Sequence, residues 1–232
     1  MLGAFLFHPL LPMQNPKLQA LLPYISEERL TKFDEALQQR TRRLCMVLEN
    51  VYQSRNASAV MRSCDGMGVQ DVHLIEDVNP WVFNRGVSKG TPSWLTLHRY
   101  SNIEDPATAC VKALRKSGYK IAVTSPHVNG YEAHNLPVDQ PLAVVMGTEF
   151  KGASECMLDA ADYHVFIPMR GMAESLNISV AAGMIMHRIM ENIRTLPPEA
   201  WQLTHHEREE LLLDWALKSV KRSGAILKHL GL

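Results

Sequence analysis

The sequence predicts an α/β fold with a mostly parallel sheet and helices on both of its faces. Short, continuously apolar runs such as Leu142–Met146 indicate strands that are buried on both sides. Helical segments separate these runs along the chain, as in parallel sheets. The chain has 232 residues, 46% of them hydrophobic, which suits one large domain with helical extensions at both ends.

The first half of the chain alternates helices and strands. Leu30, Phe33 and Leu37 fall on one face of an amphipathic helix that has a basic end. Gly66 and Gly68 can end the next helix in the left-handed conformation. The predicted elements are helices over 27–43 and 56–65 and strands over 45–48, 72–75 and 95–100. Segment 77–94 is rich in Asn, Pro, Gly and Ser, and a loop of this length is usually functional or mobile.

The second half continues the alternation. Pro106 suits a helix start and Gly118 lies just past its end, while Pro197-Pro198 stops a long, mostly apolar helix. The other predicted elements are strands over 119–124, 142–146 and 165–169 and helices over 154–160, 176–194 and about 205–229. We therefore expect three parts, an N-terminal arm and helix (1–43), a catalytic domain (44–194) and a C-terminal charged helix (195–232).

Composition excludes several classes of protein. Lys+Arg and Asp+Glu both number 24, so a nucleic-acid partner would have to be held by local basic patches. The four cysteines form no CxxC pair, which fits a reducing, cytoplasmic setting. No His/Cys spacing indicates a metal site. The apolar start, MLGAFLFHPLLPM, is too short to span a membrane and lacks the basic n-region of a signal peptide.

Three segments contain residues of the types that catalyse reactions or bind ligands. The first contains Asn56 and Arg62, and helical spacing places Arg62 opposite Ala57, Val60, Met61 and Cys64, on the side of Arg55 and Ser58. Arg62 is either a solvated helix arginine or a clamp for a phosphate or ribose. Asn56 is a second polar candidate, unless it only caps the helix.

The second and third segments follow apolar strands. Gly147 and Glu149 stand at the carboxyl end of strand 142–146, where open α/β sheets bind ligands and where glycine lets backbone approach a ligand. Ser175 and Asn177 stand at the start of helix 176–194, where they either cap the helix or face a ligand. The sequence has no serine-hydrolase elbow, P-loop or dinucleotide glycine fingerprint.

The three segments resemble, in order, the three motifs of the SpoU-type RNA ribose 2′-O-methyltransferases. The matching stretches, which with their spacers cover residues 44–190, are LENVYQSRNASAVMRSCDGMG, AVVMGTEFKGAS and FIPMRGMAESLNISVAAGMI. The preceding and trailing helices further resemble the branch of this family that methylates the D-loop guanosine (guanosine-18) of tRNA.

The resemblance implies a deep trefoil knot, S-adenosylmethionine as cofactor and a homodimer that binds tRNA. It assigns catalytic positions to Arg62, Asn56, Glu149, Ser175 and Asn177. It assigns cofactor-lining positions to Thr124, Gly147, Ile167 and Leu176. Candidate RNA contacts, chosen from local charge, are Arg40, Arg42, Arg43, Lys218, Lys221 and Arg222, with Lys228 beside them on the final helix.

The expected reaction moves a methyl group from a sulfonium to a ribose 2′-oxygen. Because the pKa of arginine lies above 12 in proteins, we expect Arg62 to orient the hydroxyl and stabilise developing negative charge more than to act as a base. Two alternatives stay open at this point: the same chemistry on another RNA, such as rRNA, and a non-catalytic RNA-binding protein on the same scaffold.

Overall fold

The structure is a computed structural model that describes residues 15–81, 90–125, 130–148 and 151–232. Within these ranges seven strands form one sheet, and every strand pairing in it is parallel. The strands are β1 (Thr41–Glu49), β2 (Val69–Ile75), β3 (Thr96–Tyr100), β4 (Lys120–Thr124), β5 (Tyr131–Glu132), β6 (Leu142–Met146) and β7 (Tyr163–Phe166). Their order is β3-β2-β1-β6-β4-β7-β5. The expected mostly parallel sheet is confirmed.

Helices connect and flank these strands. They are α1 (Pro16–Leu21), α2 (Glu27–Gln39), α3 (Ser54–Met67), α4 (Pro106–Lys116), α5 (Glu155–Asp159), α6 (Ile178–Arg194), α7 (Pro198–Trp201), α8 (His205–Ser219) and α9 (Ser223–His229). Short 3-10 turns occur at Leu22–Tyr24, Thr91–Trp94 and Ala133–Asn135. No helix in the described ranges is both long and apolar enough to cross a membrane.

The sheet has an apolar layer on each face. Leu44, Met46 and Leu48 of β1 pack in a cluster with Val60 of α3 and Ile189 of α6. The intervening side chains of the same strand face the other way, because successive residues of a strand alternate between faces. Cys45 and Val47 accordingly pack with Cys110 and Leu114 of α4. Burial on both faces explains the continuous apolar composition of the central strands.

The chain forms two compact units. Residues 40–202 form the unit that contains the sheet. The described residues up to Gln39 form the other together with 203–232. In this helical unit the Phe33 and Trp215 rings lie 5.3 Å apart, and the Asn15 backbone N–H donates to the Glu209 carboxylate.

Several boundaries differ from the sequence prediction, and three of the differences have a clear physical reason. The helix predicted over 27–43 ends at Gln39, because Thr41 begins β1 and pairs with Val69. Strand 165–169 is shifted to Tyr163–Phe166, where it pairs with β4. The helix predicted over 205–229 is two helices. The chain breaks at Arg222, whose φ of 58° is left-handed and cannot continue a right-handed helix.

Candidate active site

A cavity of about 620 Å³ lies at the carboxyl ends of β4, β6 and β7. Its walls come from the segment after β6, the segment between β7 and α6, and the first turns of α6. All strands of the sheet are parallel, so these segments meet at the same edge although they are far apart in the sequence.

The four residues assigned to the cofactor pocket all line this cavity. Thr124 comes from the end of β4, Gly147 follows β6, and Ile167 and Leu176 belong to the segment between β7 and α6. The Thr124 hydroxyl donates to the carbonyl of Val145 at 2.9 Å, which fixes its side chain between two neighbouring strands.

Gly147 is required by the protein's own backbone. A Cβ at this position would lie 2.2 Å from the amide nitrogen of Ala153 and 2.2 Å from the carbonyl carbon of Gly152. The approach follows from a backbone bridge, in which Thr148 N–H donates to Gly152 O at 2.8 Å and Gly152 N–H donates back at 3.1 Å. The sequence predicts that this glycine makes room for a ligand, whereas the nearest atoms belong to the backbone of Gly152 and Ala153.

A buried carboxylate also binds the segment that follows β6. Glu49, at the end of β1, is 2% exposed and accepts a hydrogen bond from the Ser154 N–H at 2.9 Å. Ser154 in turn caps α5, since its side chain accepts from Met157 N–H. Sequence reasoning missed Glu49. The available signal was a carboxylate at the end of an otherwise apolar strand, where burial requires a donor partner.

Asn177 joins the first and third motifs. Its Oδ1 accepts from Ser179 N–H at 2.9 Å and from the Ser179 hydroxyl at 2.6 Å, so it caps α6. Its Nδ2 donates to Oδ1 of Asn56 at 3.5 Å. Asn56 is buried in the first turn of α3, where Gln53 is the N-cap, so the interpretation of Asn56 as a plain cap is wrong.

Ser175 and Asn177 both line the cavity, whereas Asn56 and Arg62 are not among its wall residues. Ser175 is exposed and does not cap α6. The structure therefore places the third-motif pair at the cavity and connects one member of it to α3.

Arg62 is exposed on α3, opposite the buried residues Ala57, Val60, Met61 and Cys64, as predicted. Its side chain forms no ion pair with any residue in the described ranges. The prediction for Ser58 is wrong. This residue is fully buried, and its hydroxyl accepts a hydrogen bond from the indole N–H of Trp81 at 3.2 Å.

Glu149 lies outside the described residues. Its expected position beside the other motif residues therefore stays a prediction that rests on the resemblance alone.

The arginines at the start of β1 are engaged inside the protein. Arg40 is 3% exposed and pairs with the Asp65 carboxylate. Arg42 donates to both oxygens of Asp71, at 2.8 and 3.0 Å. The Arg43 guanidinium donates to backbone carbonyls, including that of Val138 at 2.9 Å. They do not form the basic helix end that the sequence predicted, because the helix stops before them.

A second polar cluster occupies β2 and β3, and none of its members lines the cavity. His73 stacks on His98 with ring centroids 4.3 Å apart, and its Nδ1 lies 3.0 Å from the Tyr100 hydroxyl. His98 Nε2 lies 2.9 Å from the Asp71 carboxylate. Burial, with a smaller contribution from His98, lowers the pKa of His73 from its usual 6.5 to about 4.

The basic residues of the C-terminal helices are arranged in two ways. Lys218 pairs with Asp214 one turn earlier in α8. Lys221 and Arg222 lie in the break between α8 and α9, and both are exposed. Neither of these two side chains forms an ion pair with a residue in the described parts of the chain.

Comparison with known proteins places the chain in a family. The model of the SpoU rRNA Methylase family matches residues 43–187. A tRNA (guanosine(18)-2′-O)-methyltransferase of Borreliella burgdorferi is 34% identical over 205 residues, covering 88% of this chain and 92% of that protein. The enzyme of the same name from Thermus thermophilus is 29% identical, covering 83% of this chain and 98% of its own length.

Solved structures agree with this assignment. The crystal structure of the Aquifex aeolicus TrmH/SpoU tRNA modifying enzyme has a TM-score of 0.73 at 27% identity, covering 84% of this chain and 98% of that one. The resemblance found in the sequence is thereby confirmed. The chain belongs to the SpoU rRNA Methylase family, and it is an S-adenosylmethionine-dependent RNA ribose 2′-O-methyltransferase.

Proposed function

We propose that this enzyme methylates the ribose 2′-oxygen of guanosine-18 in the D-loop of tRNA. The proposal rests on the relatives named tRNA (guanosine(18)-2′-O)-methyltransferase, which align over most of this chain. The one from Borreliella burgdorferi is 34% identical to it. It is supported by the cavity into which the second and third motifs both project, and by the Asn177–Asn56 hydrogen bond that connects this cavity to the helix of Arg62.

The cavity suits S-adenosylmethionine in size and chemistry. Its volume of about 620 Å³ lies within the range of small-molecule sites, roughly 300–1,000 Å³. Ile167, Leu176 and Ile178 supply apolar surface for an adenine ring, and Thr124 and Gly147 complete the walls. The bound cofactor supplies a methyl group on a sulfonium, which is already a good leaving group.

The protein's own residues then have to activate a weak nucleophile and align it. In this proposal Arg62 contacts the phosphate next to the target ribose, orients the 2′-hydroxyl and stabilises negative charge that develops on its oxygen. Asn56, Glu149 and Ser175 hold the reacting groups around it. Asn177 shapes the reacting centre and fixes α6 relative to α3.

The order of the strands is the basis for a proposal about how the chain is threaded. β6 lies between β1 and β4, and β4 separates β6 from β7, so β6 pairs with neither of the strands next to it in the sequence. The segment after β6 borders the same cavity as the segment after β7. We propose that the third-motif segment is threaded through a loop, as the resemblance implies.

We further propose a homodimer that uses the exposed side of α6. Val180 and Met184, one turn apart on this helix, are 50% and 48% exposed, and such apolar surface is typical of interfaces. We also propose that the protein is cytoplasmic, because all four of its cysteines have free thiols, as is usual in a reducing compartment.

For RNA binding we propose Lys221 and Arg222, which lie between α8 and α9. Arg40, Arg42, Arg43 and Lys218 are left out of this set, because their charged groups already bind carboxylates or carbonyls of the same chain.

The test is mass spectrometry of nuclease-digested tRNA after incubation with the enzyme and S-adenosylmethionine. We expect 2′-O-methylguanosine from a transcript with guanosine at position 18, and none from a matched transcript with adenosine there. Equal methylation of both transcripts would contradict the assigned nucleotide.

The family's description names rRNA, so an rRNA transcript should be assayed in parallel. Faster methylation of rRNA than of tRNA at equal concentration would replace the tRNA assignment and leave the chemistry intact.

A further inference from the structure

Two opposite charges lie in the wall of the cavity. Among the described residues that line it, Lys151 and Glu174 are those with a formally charged side chain at neutral pH. The remaining described wall is apolar or carries neutral hydroxyl, amide and backbone groups. A largely neutral pocket with one cation and one anion in its wall suits a ligand that has a zwitterionic end.

The two charges come from separate segments of the chain. Lys151 belongs to the segment after β6, where its N–H donates to the Thr148 hydroxyl at 3.0 Å, beside the backbone bridge between Thr148 and Gly152. Glu174 lies three residues before Asn177, the N-cap of α6. Neither side chain forms an ion pair within the described ranges, so both are available to a ligand.

We infer that Lys151 and Glu174 together hold the amino-acid end of the methyl donor, Lys151 on its α-carboxylate and Glu174 on its α-ammonium group. The inference rests on the proposed use of this cavity for S-adenosylmethionine. The donor carries these two oppositely charged groups on one carbon atom, a sulfonium links that end to the adenosine part, and the adenosine part is uncharged. Charge complementarity therefore orients the molecule in the cavity, and orientation decides whether its methyl group faces the RNA.

The same lysine, which is exposed as well as lining the cavity, would also suit an RNA phosphate. The two roles predict different ligand dependence. A lysine that binds the donor's carboxylate discriminates between ligands with and without an amino-acid end. A lysine that binds RNA does not.

The experiment is calorimetric titration of the full-length protein with two ligands. S-adenosylhomocysteine keeps the amino-acid end, and 5′-methylthioadenosine shares the adenosine and the sulfur but lacks that end. The variants are Lys151→Met and Glu174→Gln, which remove charge with little change of shape. Lys116→Met is the matched control, since Lys116 is an exposed lysine of α4 that does not line the cavity.

We expect each cavity variant to weaken S-adenosylhomocysteine about fivefold, the upper range for an exposed ion pair, and to leave 5′-methylthioadenosine unchanged. The control variant should bind both ligands like the wild type. Equal weakening of both ligands, or no weakening of either, would overturn the inference. So would an unchanged affinity for S-adenosylhomocysteine together with a raised KM for tRNA, which would assign Lys151 to the RNA.

Failure of the proposed function is distinguishable from failure of this inference. If the wild-type protein binds neither ligand, the cavity is not a site for the methyl donor. If the wild type binds both ligands and the variants show no selective loss, only the roles of Lys151 and Glu174 are wrong.

Discussion

The Asn177 side chain caps α6 with its oxygen and donates from its nitrogen to the buried Asn56 in α3, 121 positions earlier in the chain. One side-chain amide thus caps a helix and also forms a hydrogen bond between two motifs. The interpretation of Asn177 as a cap and its interpretation as a site residue are therefore compatible, and the two roles can be separated by mutation.

Asn177→Asp should separate them. Aspartate caps helices about as well as asparagine, so the free energy of unfolding should stay close to that of the wild type. The donor to Asn56 is lost, and we expect kcat to fall at least about tenfold. Asn177→Ala should lower both kcat and, by about 1 kcal/mol, the free energy of unfolding. Urea unfolding and methyl-transfer kinetics measure the two effects, and an active Asn177→Asp enzyme would remove Asn177 from the reacting centre.

Arg62→Ala should affect the reaction without affecting folding. The side chain is exposed and forms no ion pair within the described chain, so the free energy of unfolding should change by less than about 0.5 kcal/mol. We expect kcat at saturating tRNA to fall about 10²–10³-fold, the usual effect of removing a group that stabilises developing negative charge. Arg55→Ala, on the same helix, is the control and should keep its activity. Near-wild-type methylation by Arg62→Ala would contradict the proposed mechanism.

Gly147→Ala should destabilise the wall of the cavity. Its Cβ would overlap the backbone of Gly152 and Ala153, which cannot move aside as a side-chain tip does. We expect a loss of about 1–3 kcal/mol in the free energy of unfolding, with weaker binding of S-adenosylhomocysteine. Gly66→Ala is the control, because nothing lies within 4 Å of its Cβ and the residue is helical. That change should stabilise the protein by about 0.5–1 kcal/mol.

The stability of the protein should fall in mild acid because of His73. Its pKa is about 4 in the folded protein, against 6.5 when unfolded, so the unfolded chain takes up a proton first as the pH decreases. The stabilisation is complete above pH 6.5 and is lost between pH 6.5 and 4, about 3 kcal/mol in total. His73→Phe should flatten the pH dependence of the unfolding free energy between pH 7 and 5. His206→Gln changes an exposed histidine and should leave the pH dependence of the unfolding free energy unchanged. Parallel curves for the wild type and both variants would contradict this account.

Lys221 and Arg222 should contribute to the salt dependence of tRNA binding. Each phosphate contact contributes about 0.7–0.9 to the slope of log affinity against log salt. The double variant Lys221→Gln/Arg222→Gln should therefore reduce that slope by about 1.5, as measured by filter binding at several salt concentrations. Lys32→Gln serves as the control, because Lys32 already pairs with Glu28 in α2. An unchanged slope in the double variant would exclude both residues from the interface.

Much of the fold was predictable because it depends on local patterns. Continuous apolar runs marked β4 and β6, helical spacing put Arg62 on the exposed side of α3, and the three motif segments identified the family. These properties follow from the order of apolar and polar residues along a short stretch, which the sequence contains directly.

Other features depend on partners that are distant in the sequence. Arg40 and Arg42 continue a basic run, but Asp65 and Asp71 draw them into ion pairs at the start of β1. Ser58 has the spacing of an exposed residue and is buried under Trp81. The sequence by itself determined the class of fold and the family, and it supplied the candidate site residues. Tertiary structure alone decided which of them share the cavity, because burial and pairing depend on chain segments that only folding brings together.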